Sequence, residues 1–125
     1  MAIELVNEAE KAQTWGECLR AFRLQLGLSQ EGLADQIMLV CSHMSVVDAA
    51  RFERLRLECP EALAGNEISR YESGKRLPLK RSFHILLIWV LIQSGVSISV
   101  ETANGWLEMG KQGWLTEREK DELFC

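Results

Sequence analysis

From Phe83 to Ile92 the chain reads Phe-His-Ile-Leu-Leu-Ile-Trp-Val-Leu-Ile, an apolar run that only His84 interrupts. It is about half the roughly 20 residues that a bilayer-crossing helix needs, so it reads as a buried segment. Extended to Leu79–Ser94 and closed by Gly95, it is a helix without a polar face, and such a helix has to be covered on every side. The cover must come from other amphipathic elements. A length of 125 residues with 47% apolar content supplies one core of that kind but not two. No strand-like alternation and no internal repeat occurs, which leaves an all-α bundle of about six or seven helices in one domain over 1–125.

The other helices announce themselves by caps and periodicity. Thr14 with Glu17 makes a capping box ahead of Trp15, Cys18, Leu19, Phe22 and Leu26, and Gly27 stops that helix. Ser29 can cap a second helix with Leu33, Ile37 and Val40 inward. Ser99 opens a helix through Trp106 and Met109 to Gly110, and Thr116 with Glu119 opens a short one to Phe124. Between Asn66 and Pro78 a short polar helix carries Ile68 and Tyr71 on one face and Asn66, Ser69 and Arg70 on another. Gly74 supplies its left-handed stop. Arg70, Lys75, Arg76 and Lys80 then offer cations to an anion, with Arg81 close behind.

Two stretches taken together carry a family resemblance. Arg23-Leu-Gln-Leu-Gly-Leu-Ser-Gln-Glu-Gly-Leu-Ala34, followed by Ile68-Ser-Arg-Tyr-Glu-Ser-Gly-Lys-Arg-Leu-Pro78, resembles the XRE group of phage-repressor and Cro-like helix-turn-helix domains. The resemblance implies a lambda-repressor-like bundle in which the helix opening with Ser29-Gln30 crosses the DNA backbone and the helix around Asn66–Ser73 enters the major groove. It implies that Gln30 meets a phosphate and buttresses the recognition helix, and that Gly65, Asn66 and Arg70 reach base edges. Ser29, Ser69, Lys75, Arg76 and Lys80 complete the implied DNA-facing set. Arg23 and Glu72 match a structural pair that bridges the first and third helices. The helix-turn-helix core spans 14–95, and 96–125 forms a C-terminal helical extension.

The connection departs from the family. Ala34 and Ile68 are 34 residues apart, where family members have a short link, so an insert lies at about 38–66. Ser45 with Asp48 can cap a helix there through Val46, Val47, Ala50, Leu55 and Leu57. The recognition helix can then reach back to Pro60, a residue favoured at a first helical position. The tail Ala103-Asn-Gly-Trp-Leu107 and Gly113-Trp-Leu-Thr-Glu117 resembles sequence that follows XRE domains in large bacterial signalling proteins with NB-ARC-type modules. That likeness leaves room for a downstream signalling domain if the chain is a fragment.

Composition bounds the partners. A net charge of −4 and a pI near 5.2 exclude indiscriminate coating of nucleic acid. Yet the ends are the acidic parts: residues 1–19 carry one cation against four anions and residues 101–125 three against six, while 20–81 carry ten against eight, a net of +2. Cys18, Cys41, Cys59 and Cys125 form no paired C-x-x-C, and no hydrophobic leader opens the chain, so reduced thiols in a cytoplasm are expected. Cys41, His43, Cys59 and His84 are metal-ligand types at a spacing that fits no standard finger, and no metal is expected. His84 reads as a satisfied core or interface histidine, and Trp15, Trp89, Trp106 and Trp114 read as core. Phosphate-cradling glycine loops, H-E-x-x-H and G-x-S-x-G are all missing, so neither an enzyme nor a cofactor is expected. The expected function is a sequence-specific regulator that binds double-stranded DNA as a homodimer, with the apolar fourth helix and the C-terminal helices as its interface. The alternative is a protein-interaction or oligomerisation domain that keeps the scaffold without DNA.

Overall fold

A computed structural model describes residues 12–44 and 53–124, and every regular element among them is an α-helix. In chain order these are α1 (Trp15–Gln25), α2 (Gln30–Ser42), α3 (Glu53–Leu57), α4 (Gly65–Glu72), α5 (Arg81–Gln93), α6 (Val100–Met109) and α7 (Glu117–Phe124).

Local chemistry sets the boundaries. The Thr14 hydroxyl accepts the Glu17 amide at 3.1 Å, while the Glu17 carboxylate reaches the Gln13 amide at 3.3 Å, one residue before the reciprocal partner of a regular capping box. Ser29 accepts the Gly32 amide at 3.0 Å and Ser99 the Thr102 amide at 3.1 Å. Thr116 and Glu119 form the full reciprocal box, at 3.1 and 2.9 Å. The expected Ser45–Asp48 cap and Val46, Val47 and Ala50 lie outside the described residues. Of the insert's helix the described part is α3, whose Leu55 is fully buried.

Two expected boundaries move. The recognition helix does not reach back to Pro60: Ala64 is extended, at φ −124° and ψ 161°, and α4 begins at Gly65. The cause is a contact with α2, described below. The fourth helix begins at Arg81 rather than Leu79, because Lys80 is extended and the His84 ring donates from Nε2 to the Pro78 carbonyl at 2.7 Å. Leu79 is left 91% exposed.

From His84 to Leu91 every residue of α5 is buried, so the requirement for cover on all sides is met. α2, α3 and α7 all pack on it. The apolar surface of α5 is thus used within the chain. At the other side of the core the Trp15 and Trp106 rings stack at 5.3 Å, and the Trp106 indole donates to the Trp15 carbonyl at 3.1 Å. Phe22 meets Trp106 edge-on at 5.1 Å, which ties α1 to α6. Trp114 departs from its expected place: it is 65% exposed, with its indole N–H donated to Glu108. His84 is buried as expected. Burial pushes its pKa down, and Nδ1 has no hydrogen-bond partner among the described residues.

Arg81 belongs to this architecture and not to the solvated cations it follows in sequence. Its guanidinium donates to both Glu119 oxygens, at 2.9 and 2.6 Å, and to the carbonyls of Gly113 at 2.8 Å and Trp114 at 2.9 Å. The first turn of α5 is thereby clamped to α7. Burial alone would raise the Glu119 pKa, but the hydrogen bonds from Arg81 and Thr116 outweigh it and hold the carboxyl below its ordinary value of about 4.5. With the folded value depressed, the pair's contribution is complete above about pH 4.5 and is lost as pH falls through the lower folded value. Glu119→Gln should therefore cost about 2 kcal/mol at pH 7. In denaturant titrations this difference from wild type should shrink steadily on acidification below pH ~4.5.

Candidate nucleic-acid interface

The candidate face is built on the corner where α1, α2 and α4 meet. Arg23, near the end of α1 and 9% exposed, donates from Nε to Glu72 Oε2 at 2.6 Å and from Nη2 to Oε1 at 3.0 Å. Its third donor, Nη1, reaches the Leu28 carbonyl at 2.8 Å in the turn between α1 and α2. Gln30, the first residue of α2, adds its amide to Glu72 Oε1 at 3.1 Å. One carboxylate at the end of α4 thus collects donors from α1 and α2, with Arg23 in the fork geometry that suits Arg. Arg23 and Glu72 hold the scaffold together, and the Gln30 amide is turned inward to the same node.

Close backbone approach fixes the rest. A Cβ on Gly16 would come within 2.6 Å of the Glu72 carbonyl oxygen and closer still to that of Tyr71, so α1 can lie against the end of α4 only with glycine there. At the other end of α4 a Cβ on Gly65 would stand 2.8 Å from the Glu31 amide nitrogen and 3.0 Å from its Cα. The Gly65 amide donates to Glu31 Oε2 at 2.7 Å. Ala64 offers no side chain to cap α4, so a carboxylate from α2 satisfies that leading amide. This contact starts the helix at Gly65.

With Ile68 and Tyr71 buried, the opposite side of α4 is free. Ser29, Gln30 and Glu31 at the start of α2 and Asn66, Ser69 and Arg70 on α4 line one open concavity of about 620 Å³, together with Gly65 and Lys75. Of the nine residues expected to face DNA, the structure brings seven into this one concavity. Gly65 lies there as a buried packing residue whose amide is occupied, not as a group aimed at a base edge. Arg76 and Lys80 lie apart from it, around a second pocket that shares Lys75. The turn after α4 is set by Gly74, at φ +80°, and by the Arg76 amide closing on the Arg70 carbonyl at 3.2 Å. Lys80 is 75% exposed and stands 3.8 Å from Glu58.

α3 packs on α5, and no described residue of the stretch from 38 to 64 lines the space between α2 and α4.

Comparison with protein-family models, with curated proteins and with solved structures returned no match. The chemistry of the face is therefore read from its own residues. It presents two cations, Arg70 and Lys75, one carboxylate, Glu31, and the neutral hydrogen-bonding groups of Asn66, Ser69 and Ser29. Glu31 is the residue that reading the sequence passed over. As a first-turn acid after Ser29 it looks like an ordinary helix-dipole partner, and its contact with Gly65 spans 34 positions.

The other candidates give no second site. Cys18 is buried, which pushes its thiol up to about 12. The Cys41 thiol is raised first by burial and further by the neighbouring Cys59 thiol. Among the described residues no group of three or more His, Cys, Asp or Glu is placed to hold a metal, and no helix is long and apolar enough to cross a membrane.

Removing one partner of a buried ion pair strands the other charge. Glu72→Ala should therefore lower stability by about 3 to 5 kcal/mol in equilibrium unfolding. A loss within about 0.5 kcal/mol, the range of a surface substitution, would show that the node is not a support of the fold.

Proposed function

We propose that the chain binds double-stranded DNA sequence-specifically as a transcriptional regulator of the XRE helix-turn-helix kind, with α2 across the backbone and α4 in the major groove. The observation that carries this reading is the shared concavity: polar side chains from the start of α2 and the outer side of α4 converge on one open face. The two halves of the sequence signature, far apart in the chain, supply the residues on it.

Each side chain has a role by its chemistry. The Arg70 guanidinium suits guanine O6 and N7, and the Asn66 amide suits adenine N6 and N7. Glu31, with one oxygen committed to Gly65, can accept from a cytosine amino group through the other. Ser29, Ser69, Lys75, Arg76 and Lys80 serve the backbone, where contacts position without specifying. One such face reads only a few base pairs. A homodimer with half-sites about 34 Å apart is the natural complement, acting in the cytoplasm. Neither catalysis nor a cofactor enters this reading.

A second reading, a protein-interaction domain on the same scaffold, is favoured by one observation. Glu31 puts a carboxylate at the leading end of α4, where a phosphate would otherwise meet bare amides.

Selection from random oligonucleotides followed by anisotropy titrations at several salt concentrations separates the two. A regulator should enrich one motif. Arg70→Ala should then lose about 1 to 3 kcal/mol of discrimination at a single position, while Arg76→Ala should weaken all duplexes alike and lower the salt slope by about 1. No enriched motif, or two variants that bind as wild type does, would support the interaction domain instead.

A further inference from the structure

A second concavity opens on the far side of Lys75, where the chain leaves α4 and turns into α5, and its chemistry is more than a phosphate contact requires. It encloses about 520 Å³, within the range of small-molecule sites. Aromatic rings form part of its wall: Tyr71 and Phe83 stand 6.3 Å apart at 45°, beside buried Pro78. Lys75, Arg76 and Lys80 bring three cations to it against the single carboxylate of Glu58. Leu79, 91% exposed, adds apolar surface among those charges.

The backbone that frames the site is held by contacts of its own. His84 fixes the Pro78 carbonyl at 2.7 Å, the Arg76 amide closes on Arg70 at 3.2 Å, and Arg81 clamps the first turn of α5. An exposed leucine alone is ordinary. An exposed leucine, two rings and a three-to-one excess of cations around one pocket match a ligand with an apolar aromatic body and one negative group. The rings offer edge-to-face contact to the body, and Arg76 offers a carboxylate its fork.

We infer that this pocket binds a small aryl carboxylate, and that its occupant competes with DNA for Lys75 and Arg76. The second half rests on the DNA-binding reading, because Lys75 lines both concavities. Linkage then requires that DNA weaken the ligand by the same factor that the ligand weakens DNA.

The test is calorimetric titration of the full chain, without DNA, with naphthoate, naphthylmethanol and acetate, repeated on Leu79→Glu. The Leu79 side chain lies in solvent, so the variant should keep its fold, which circular dichroism checks. Naphthoate should bind at one site, with the uncharged alcohol and the bodiless acetate each weaker by about tenfold or more, and Leu79→Glu should lose a similar factor. Naphthoate should also weaken binding of the selected duplex by wild type but not by Leu79→Glu. Equal affinity for naphthoate and the alcohol, unchanged affinity in Leu79→Glu, or no naphthoate binding would overturn the site. So would an acidic peptide that binds there where naphthoate does not. Naphthoate binding by a chain that enriches no DNA motif would overturn the DNA reading and leave the site standing.

Discussion

The fork between Arg23 and Glu72 is the interaction on which the rest of the structure depends. Glu72 takes two donors from Arg23 on α1 and one from Gln30 on α2, while Arg23 spends its remaining donor on the turn between those helices. A buried ion pair of this kind contributes little net stability, because desolvation offsets most of the attraction. What it contributes is geometry. It fixes the end of α4 against the corner of α1 and α2, and the contact of Gly65 with Glu31 fixes the beginning. Held at both ends, α4 can turn only one side outward, and that side carries Asn66, Ser69 and Arg70 beside Ser29 and Gln30.

The apolar helix α5 imposes the second constraint and explains where the extra sequence goes. Surface on all sides of α5 must leave water, at roughly 1.5 to 3 kcal/mol for each large apolar side chain fully buried. α2 covers part of it, and α3 and α7 cover more. The described helix of the insert, α3, packs on the same oily surface and does not line the face between α2 and α4. The Arg81–Glu119 clamp then places α7. The node that orients α4 thus forms even though the two halves of the sequence signature lie far apart in the chain.

What could be read from the sequence follows the range of the interaction. Thr14, Ser29, Ser99 and Thr116 were legible as caps because a cap bonds an amide two or three residues away. The burial of α5 was legible because its composition allows nothing else. The pairing of Arg23 with Glu72 spans 49 positions and was legible only through the family resemblance. Contacts of similar range without a motif were not. Nothing near Glu31 announces Gly65, so the sequence leaves room for α4 to extend back to Pro60, which the contact with Glu31 prevents. Arg81 follows a run of cations and reads as one of them, though its place at the head of α5 turns it toward Glu119. Trp114 looks apolar by its neighbours, but it sits in the turn before α7, where only one side of the chain meets the core. Among the expected DNA-facing residues, sequence distinguished the side of α4 but not that Arg76 and Lys80 would fall around a separate pocket.

The central claim is that the face between α2 and α4 meets DNA. Backbone amide chemical-shift mapping, with the enriched duplex titrated into the full chain, tests it most directly. The account predicts that the largest shifts fall at Ser29 to Glu31, Asn66 to Arg70 and Lys75, with α6 and α7 nearly unmoved. Shifts concentrated on α6 and α7, or none on α4 at saturating duplex, would contradict it.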